Sequence, residues 1–509
     1  MSDESSKGTL QPPSHWTGMV RFAGPGMIVA GSIVGSGELI ATTKTGAEAG
    51  FLLLWLILLG CVVKVFCQIE FGRYALISGK TTLDALTEVP GPAIKGRGNW
   101  LVWYWFVMWF ASIGQLGGIV GGVGESLAIS VPITAQGKAY NEAADLQITQ
   151  QMGTVTNGQA VDSAQVDAMW ATYTNQYGVE SGPKAKPSRP IDATIWAGIL
   201  AVVTSILLII GRYQMIQTLS IAMVTGFTVL TIYNLFMLQG EPEWSVKLPE
   251  FLSGLSFRLP SSIGDAKPIA TALATFGIIG VGASELIVYP YWCLEKGYAR
   301  YTGPRDESPE WLDRARGWMR VMRLDSWGAM VVYTFSTIVF YLLGAAILHR
   351  AELNPSKDDM VRTLATMFQP VFSNWASVLF LLGAFAVLYS TYFVANASHA
   401  RTFSDAIRVM GFVGKGEDVF QRWVRILSGV FPLLCFSMYV IYPDPVHLVL
   451  ISGVMQGVML PMLAGAALFF RYRKGVEGLM PGKTWDVFLW LSAVAMLITG
   501  IWTIYSKLT

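Results

Sequence analysis

The sequence predicts an all-α integral membrane protein of about eleven transmembrane helices, built as an inverted 5+5 repeat with helices 1 and 6 broken. Three observations predict it. Of the 509 residues, 53% are hydrophobic and only 14% charged, a balance outside the range of soluble domains. The apolar residues fall into runs long enough to cross roughly 30 Å of hydrocarbon as helices. One heptapeptide occurs twice, as VGSGELI at 34–40 and VGASELI at 281–287.

The repeat is the most informative feature. Val, Gly, Glu, Leu and Ile recur at matching positions, and the remaining two residues are small in both copies. Each copy sets a carboxylate, Glu38 or Glu285, inside an apolar run beside small residues that let a helix unwind. A charge at that depth is costly unless paired or facing water, so it marks a functional site by default. Taken singly, either copy also fits close helix packing at Gly35 or Gly282 with the Glu paired to a basic residue. Occurring together, they point to the binding site of an inverted-repeat transporter.

Residues 1–23 form a polar tail with a Pro-Pro pair, expected to be disordered or to lie along the surface, with no cleavable signal. The first five-helix repeat covers 24–238, with spans at about 24–45 (broken near 35–37), 51–71, 101–129, 194–210 and 216–238. Within it, 130–190 is rich in Gln, Asn, Ala and Thr and reads as an extracellular insertion, only partly ordered. A loop at 239–269, also extracellular, leads to the second, inverted repeat, 270–472. Its spans are expected at about 270–294 (broken near 282–284), 330–348, 376–395, 426–441 and 448–470, with a charged loop at 295–325. Residues 473–509 hold an eleventh helix at about 487–504 and the carboxyl terminus. Spans 1 and 6 are five apart, an odd number, so the second half enters the membrane from the opposite side.

Lys and Arg concentrate between Lys296 and Arg323, between Arg401 and Arg425, and at Arg471, Arg473 and Lys474. By the positive-inside rule these face the cytoplasm, which places the amino terminus inside and, with eleven spans, the carboxyl terminus outside a cell (inner or plasma) membrane. The net charge of +2 says nothing about nucleic acid, no basic tract stands out, and no nucleic-acid partner is expected. The four cysteines, Cys61, Cys67, Cys293 and Cys435, lie in or beside apolar spans with no metal-ligand spacing and read as packing residues.

The first span also carries a family resemblance. Gly24, Pro25 and Gly26, the apolar run 27–30, then Gly46, Ala47, Gly50 and Phe51 resemble the opening of the Nramp divalent-metal transporters. The likeness continues through 68–73, Gly79 and Lys80, the segment 422–425, and Ser452 through Leu460 and Pro461. It implies a LeuT-like fold and transport of divalent transition metals, usually with protons. The departures fall on the family's site. Gly35 stands at the metal-binding Asp, Glu38 at the Asn, and Ser284 or Glu285 at the helix-6 Met. Gln115 and Gly118 stand where acids pass protons, and Gly453 at a span-10 Gln, with Gln456 one turn away.

Loss of Met and gain of two Glu moves the donor set from soft toward hard cations. Mg²⁺ is usually held by one or two carboxylates and several waters. The expected site is therefore Glu38 and Glu285 as metal ligands, Gly35 and Gly282 presenting unwound carbonyls, Ser36 and Ser284 bonding retained waters, and Gln456 in support. The expected function is a secondary transporter or facilitator of a hard divalent cation, Mg²⁺ first and Mn²⁺ second, weakly or not proton-coupled. The cation is substrate, and no cofactor is expected. A transporter of cationic amines or amino acids on the same fold, and a non-transporting sensor, are the alternatives. No nucleophile–base pair suggests an enzyme. Lys64 is read as snorkelling or pairing with Glu70, with a counter-ion role toward Glu38 or Glu285 as the sharper idea. Glu125 is placed at the interface, Trp103, Trp105 and Trp109 in an aromatic belt, and His399 in a loop without a metal role.

Overall fold

The computed structural model describes residues 8–153, 155–156, 159–180, 186–211, 213–259, 266–356, 359–372 and 375–508. Parts of the expected tail (1–7), insertion (154, 157–158, 181–185) and loop (260–265) lie outside the described residues. Among those described, eleven helices are long and apolar enough to cross a membrane. Spans 1–5 are Pro25–Ala49, Leu54–Ser78, Trp100–Ser130, Asp192–Ile210 and Ile221–Leu238. Spans 6–11 are Lys267–Lys296, Pro309–Leu348, Ala376–Val409, Glu417–Ile441, Pro445–Arg473 and Lys483–Ser506.

Spans 1 and 6 form the centre, and no residue of 25–49 is exposed. Spans 4, 5, 9 and 11 instead present large apolar side chains outward, among them Val202, Phe236, Leu433 and Leu491. A helix facing lipid needs an apolar outer surface but no polar partners, since its backbone is satisfied internally.

Both expected breaks are present. The first half of span 1, Pro25–Ile33, ends at Val34 and Gly35, and the chain resumes as a widened π-helical turn, Ser36–Thr42. Thr42 and Thr43 hydroxyls donate to the carbonyls of Gly37 and Glu38. A Cβ at Gly35 would collide with Thr391 of span 8, whose hydroxyl donates to the Gly31 carbonyl at 3.2 Å. In span 6, Ala266–Ile278 and Ala283–Lys296 are separated by 279–282, slightly before the expected 282–284. The turn is made by Gly280, whose φ of +54° lies in the left-handed region.

Several segments are more helical than expected. The charged stretch 295–325 is a short helix, Tyr298–Thr302, followed by the first four turns of span 7, which begins at Pro309 with Ser308 as its cap. Amphipathic charge hid this extension, because the cytoplasmic end of a helix needs no apolar run. The described part of the tail, 8–23, lies along the surface. Leu10 N–H donates to the Tyr301 carbonyl, the Leu10 carbonyl accepts from Trp318 Nε1, and helix Trp16–Phe22 sets Phe22 edge-on to Trp318. Within the insertion, Ala135–Gln151 and Ser163–Tyr177 are helices, the first capped by Thr134 and the second by a capping box at Asp162.

Candidate functional site

Span 1 is held at its start by an acid on another span. Asp325 Oδ1 and Oδ2 accept from the backbone N–H groups of Gly24 and Gly26 at 2.8 and 2.6 Å, and Oδ2 also accepts from Tyr289. A carboxylate there satisfies free amides and complements the helix dipole. The half-helices are tied together farther along, where Thr45 and Thr275 hydroxyls lie 2.9 Å apart and Thr275 donates to the Ala41 carbonyl.

Between these ties, a chain of polar side chains joins the two breaks. Gln115 Nε2 donates to Ser36 Oγ at 2.9 Å. Its Oε1 accepts from Gln456 Nε2 at 2.7 Å and from Ser452 Oγ at 3.1 Å. Gln456 Oε1 in turn accepts from the Ser284 backbone N–H at 3.1 Å, at the start of the second half of span 6. Ser36, Ser284 and Gln456, named from sequence, are thus brought into one network. Gln115, read only as a missing acid, is its centre. An amide at membrane depth among the glycines of span 3 requires partners, and that signal could have singled it out.

The two carboxylates face different ways. Glu38 is fully buried, with Oε1 accepting from Thr337 Oγ1 of span 7 at 3.0 Å and Oε2 without a hydrogen-bond partner. Cys61 Sγ lies 3.6 Å from the same Thr337 hydroxyl. Glu285 accepts from Ser32 Oγ at 3.1 Å and lines a cavity of about 20 Å³ with Ser284, Trp105, Trp109 and His399. That volume holds about one water. Glu38 does not line it. A Cβ on Gly282 would approach Glu285 Oε2 to 2.5 Å and Gln456 Oε1 to 3.0 Å, so the bare glycine leaves both oxygens room.

Three expectations change here. Lys64 neither snorkels nor pairs with Glu70: it is fully buried and donates to two carbonyls of span 6, Phe276 and Ile279, at 2.6 Å each. Glu70 is taken by Arg73 at 2.7 Å and by Trp485 Nε1. Trp105 and Trp109 are buried against the Glu285 cavity rather than turned to lipid, while Trp103 is only partly buried. His399 lies in span 8, not a loop, and Trp109 Nε1 donates to its Nδ1 at 2.8 Å. A span read from hydropathy ends where polar residues begin, so the polar end of span 8 was missed.

On the side away from the amino terminus, Glu125, expected at the interface, lines a larger cavity of about 270 Å³, and its Oε1 accepts from Val361 N–H. Tyr140 and Asn141 of the insertion, with Arg189, Asp359 and Arg362, complete its polar wall. Arg362 binds Asn141 and Asp145, which anchors the insertion over this mouth. Among the described residues, no three of His, Cys, Asp and Glu come together as a metal site.

Residues 185–506 match the family model described as natural resistance-associated macrophage protein-like (Nramp). The chain is 26% identical over 130 residues to a protein named metal transporter Nramp3.2 of Populus trichocarpa, covering 25% of this chain and 24% of that one. It is 32% identical over 79 residues to metal transporter Nramp2 of Oryza sativa subsp. japonica, covering 16% and 15%. The matched segments therefore span about a quarter or less of these curated relatives. A solved mutant of the Eremococcus coleocola manganese transporter shares the fold, with a TM-score of 0.62, 13% identity, and coverage of 100% of this chain and 91% of that one.

Proposed function

This chain belongs to the Nramp family, whose model its residues 185–506 match, and we propose on that premise that it moves a hard divalent cation, Mg²⁺ first and Mn²⁺ second, by alternating access. The observation that carries the reading is Glu38. Its carboxylate is fully buried at the break of span 1, and one oxygen has no hydrogen-bond partner. A buried carboxylate left half-satisfied is destabilising, and a cation supplies the missing partner. Glu285 at the matching break provides the second carboxylate. Ser36, Ser284 and Gln456 offer hydroxyl and amide groups that suit a partly hydrated ion.

The substrate preference and coupling follow from the same residues. Carboxylates are hard donors and favour Mg²⁺ and Mn²⁺ over softer ions, and of the His399 and Met459 side chains on the Glu285 cavity, His399 already uses Nδ1 to accept from Trp109 Nε1. Gln115 and Gly118 occupy the positions of the family's proton-passing acids, and Gln115 is committed to amide hydrogen bonds. Transport is therefore weakly coupled or uncoupled to protons. Opening toward the amino-terminal side requires span 1 to leave Asp325, releasing the bonds to Gly24 and Gly26. Opening on the other side requires the Thr45–Thr275 tie to part.

The test is uptake into proteoliposomes, with Mg²⁺ and Mn²⁺ read on separate indicators and internal pH followed in parallel. Saturable entry without acidification is expected, with at least a tenfold loss, about 1.4 kcal/mol, in Glu38→Gln and Glu285→Gln at unchanged thermal stability. No cation flux from monodisperse protein, or full flux in both variants, overturns the reading. Flux of an amine or amino acid in its place would favour the organic-cation alternative.

A further inference from the structure

The Lys64 ammonium sits where interrupted transporter helices usually hold a transported ion. Half-helix carboxyl ends and unwound carbonyls are negative, and in such folds they coordinate monovalent cations. Here the first half of span 6 ends at Ile278, and Lys64 Nζ lies 2.6 Å from both the Phe276 and the Ile279 carbonyl oxygens. The Phe276 ring closes a further side, its centroid 4.9 Å from Nζ, a distance at which a ring face attracts a cation. The side chain is completely buried. Span 2 brings it in at close range, since a Cβ on Gly280 would meet Cys61 Cα at 2.8 Å, one turn before Lys64.

We propose that Lys64 is a tethered cation that permanently occupies the carbonyl site at the span 6 break, so that the protein needs no monovalent co-ion there. The inference deepens the transport reading: the Phe276 and Ile279 carbonyls at the span 6 break are already taken, and the divalent ion is left to Glu38, Glu285 and neutral side chains. Lys64 is a positioning residue in this arrangement. It fixes the broken end of span 6 to span 2, so the two must move together when the half-helix moves.

Removing the ammonium while keeping the cage creates a vacancy that a small monovalent cation fits. The test is thermal unfolding of wild type, Lys64→Met and Lys64→Gln in detergent, with NaCl titrated against choline chloride at constant ionic strength and no divalent metal present. The expected result is a wild type indifferent to the exchange and a Lys64→Met chain that is less stable in choline and regains stability saturably with Na⁺. Lys64→Gln, whose amide can still donate to one carbonyl, should show the same Na⁺ response with a smaller starting loss. Equal Na⁺ response in all three, or none in either variant, overturns the proposal. A merely structural lysine would lower stability without any Na⁺ dependence. Because nothing in this assay depends on divalent transport, the proposal can fail while the transport reading stands, and the reverse.

Discussion

Replacing Gln115 by Leu tests whether the two helix breaks act as one unit. The side chain makes three hydrogen bonds, to Ser36, Ser452 and Gln456, at 2.9, 3.1 and 2.7 Å. At a net value of about 1 kcal/mol each, their loss removes about 3 kcal/mol. Part of this is the burial of Ser36 Oγ without a partner, since Gln456 retains a longer contact of 3.4 Å to Ser452. Leucine is close in volume, so no cavity adds to the figure. The expected outcome is a lower unfolding midpoint together with a loss of cation uptake. If only half of the 3 kcal/mol is specific to the state in which both breaks are aligned, uptake falls about tenfold. Gln115→Glu separates the two effects, because it keeps the acceptor oxygens and loses the donor to Ser36. The assay is uptake in proteoliposomes alongside thermal unfolding of the same preparation. Wild-type uptake in Gln115→Leu, with the stability loss present, would show that the network holds the fold but does not link the sites. Wild-type behaviour in both would refute the network altogether.

Two further substitutions probe what holds the site in place. Gly280→Ala forces a side chain into φ +54° and toward Cys61 Cα at 2.8 Å, and should lose about 2 to 5 kcal/mol in chemical denaturation; an unchanged midpoint would mean the break can relocate. Glu88 tests a surface hub, where Lys80 and Lys474 each lie 2.5 Å from its carboxylate and Tyr74 donates at 2.9 Å. Desolvation pushes this carboxyl up, but hydrogen bonds from Lys474, Lys80 and Tyr74 outweigh it and hold it below its ordinary value of 4.5. A depressed carboxyl contributes stability that is present above the unfolded value and lost as pH falls through the folded one. Glu88→Gln should therefore lower the unfolding midpoint at about pH 7 by an amount worth under about 1 kcal/mol, and the gap to wild type should close below about pH 4. A gap independent of pH would assign the effect to packing.

The membrane class, the eleven spans and the two broken helices were legible in the sequence because each rests on a local signal. An apolar run long enough to cross a bilayer declares itself. A carboxylate beside glycines, written twice five spans apart, needs no partner to be noticed. Where hydropathy is the only guide it stops early, at the polar ends of spans 7 and 8, which it does not tell from loop. Tertiary structure alone decided the partners. Glu38 turns to Thr337, Glu285 to Ser32, and Lys64 to the carbonyls of span 6 rather than to a carboxylate. Gln115 became the centre of the network only when span 10 brought Gln456 against it. The physical reason is that a buried polar group is satisfied by whichever donor or acceptor lies within about 3 Å, and between residues hundreds of positions apart that distance is set by helix packing, which local sequence does not encode.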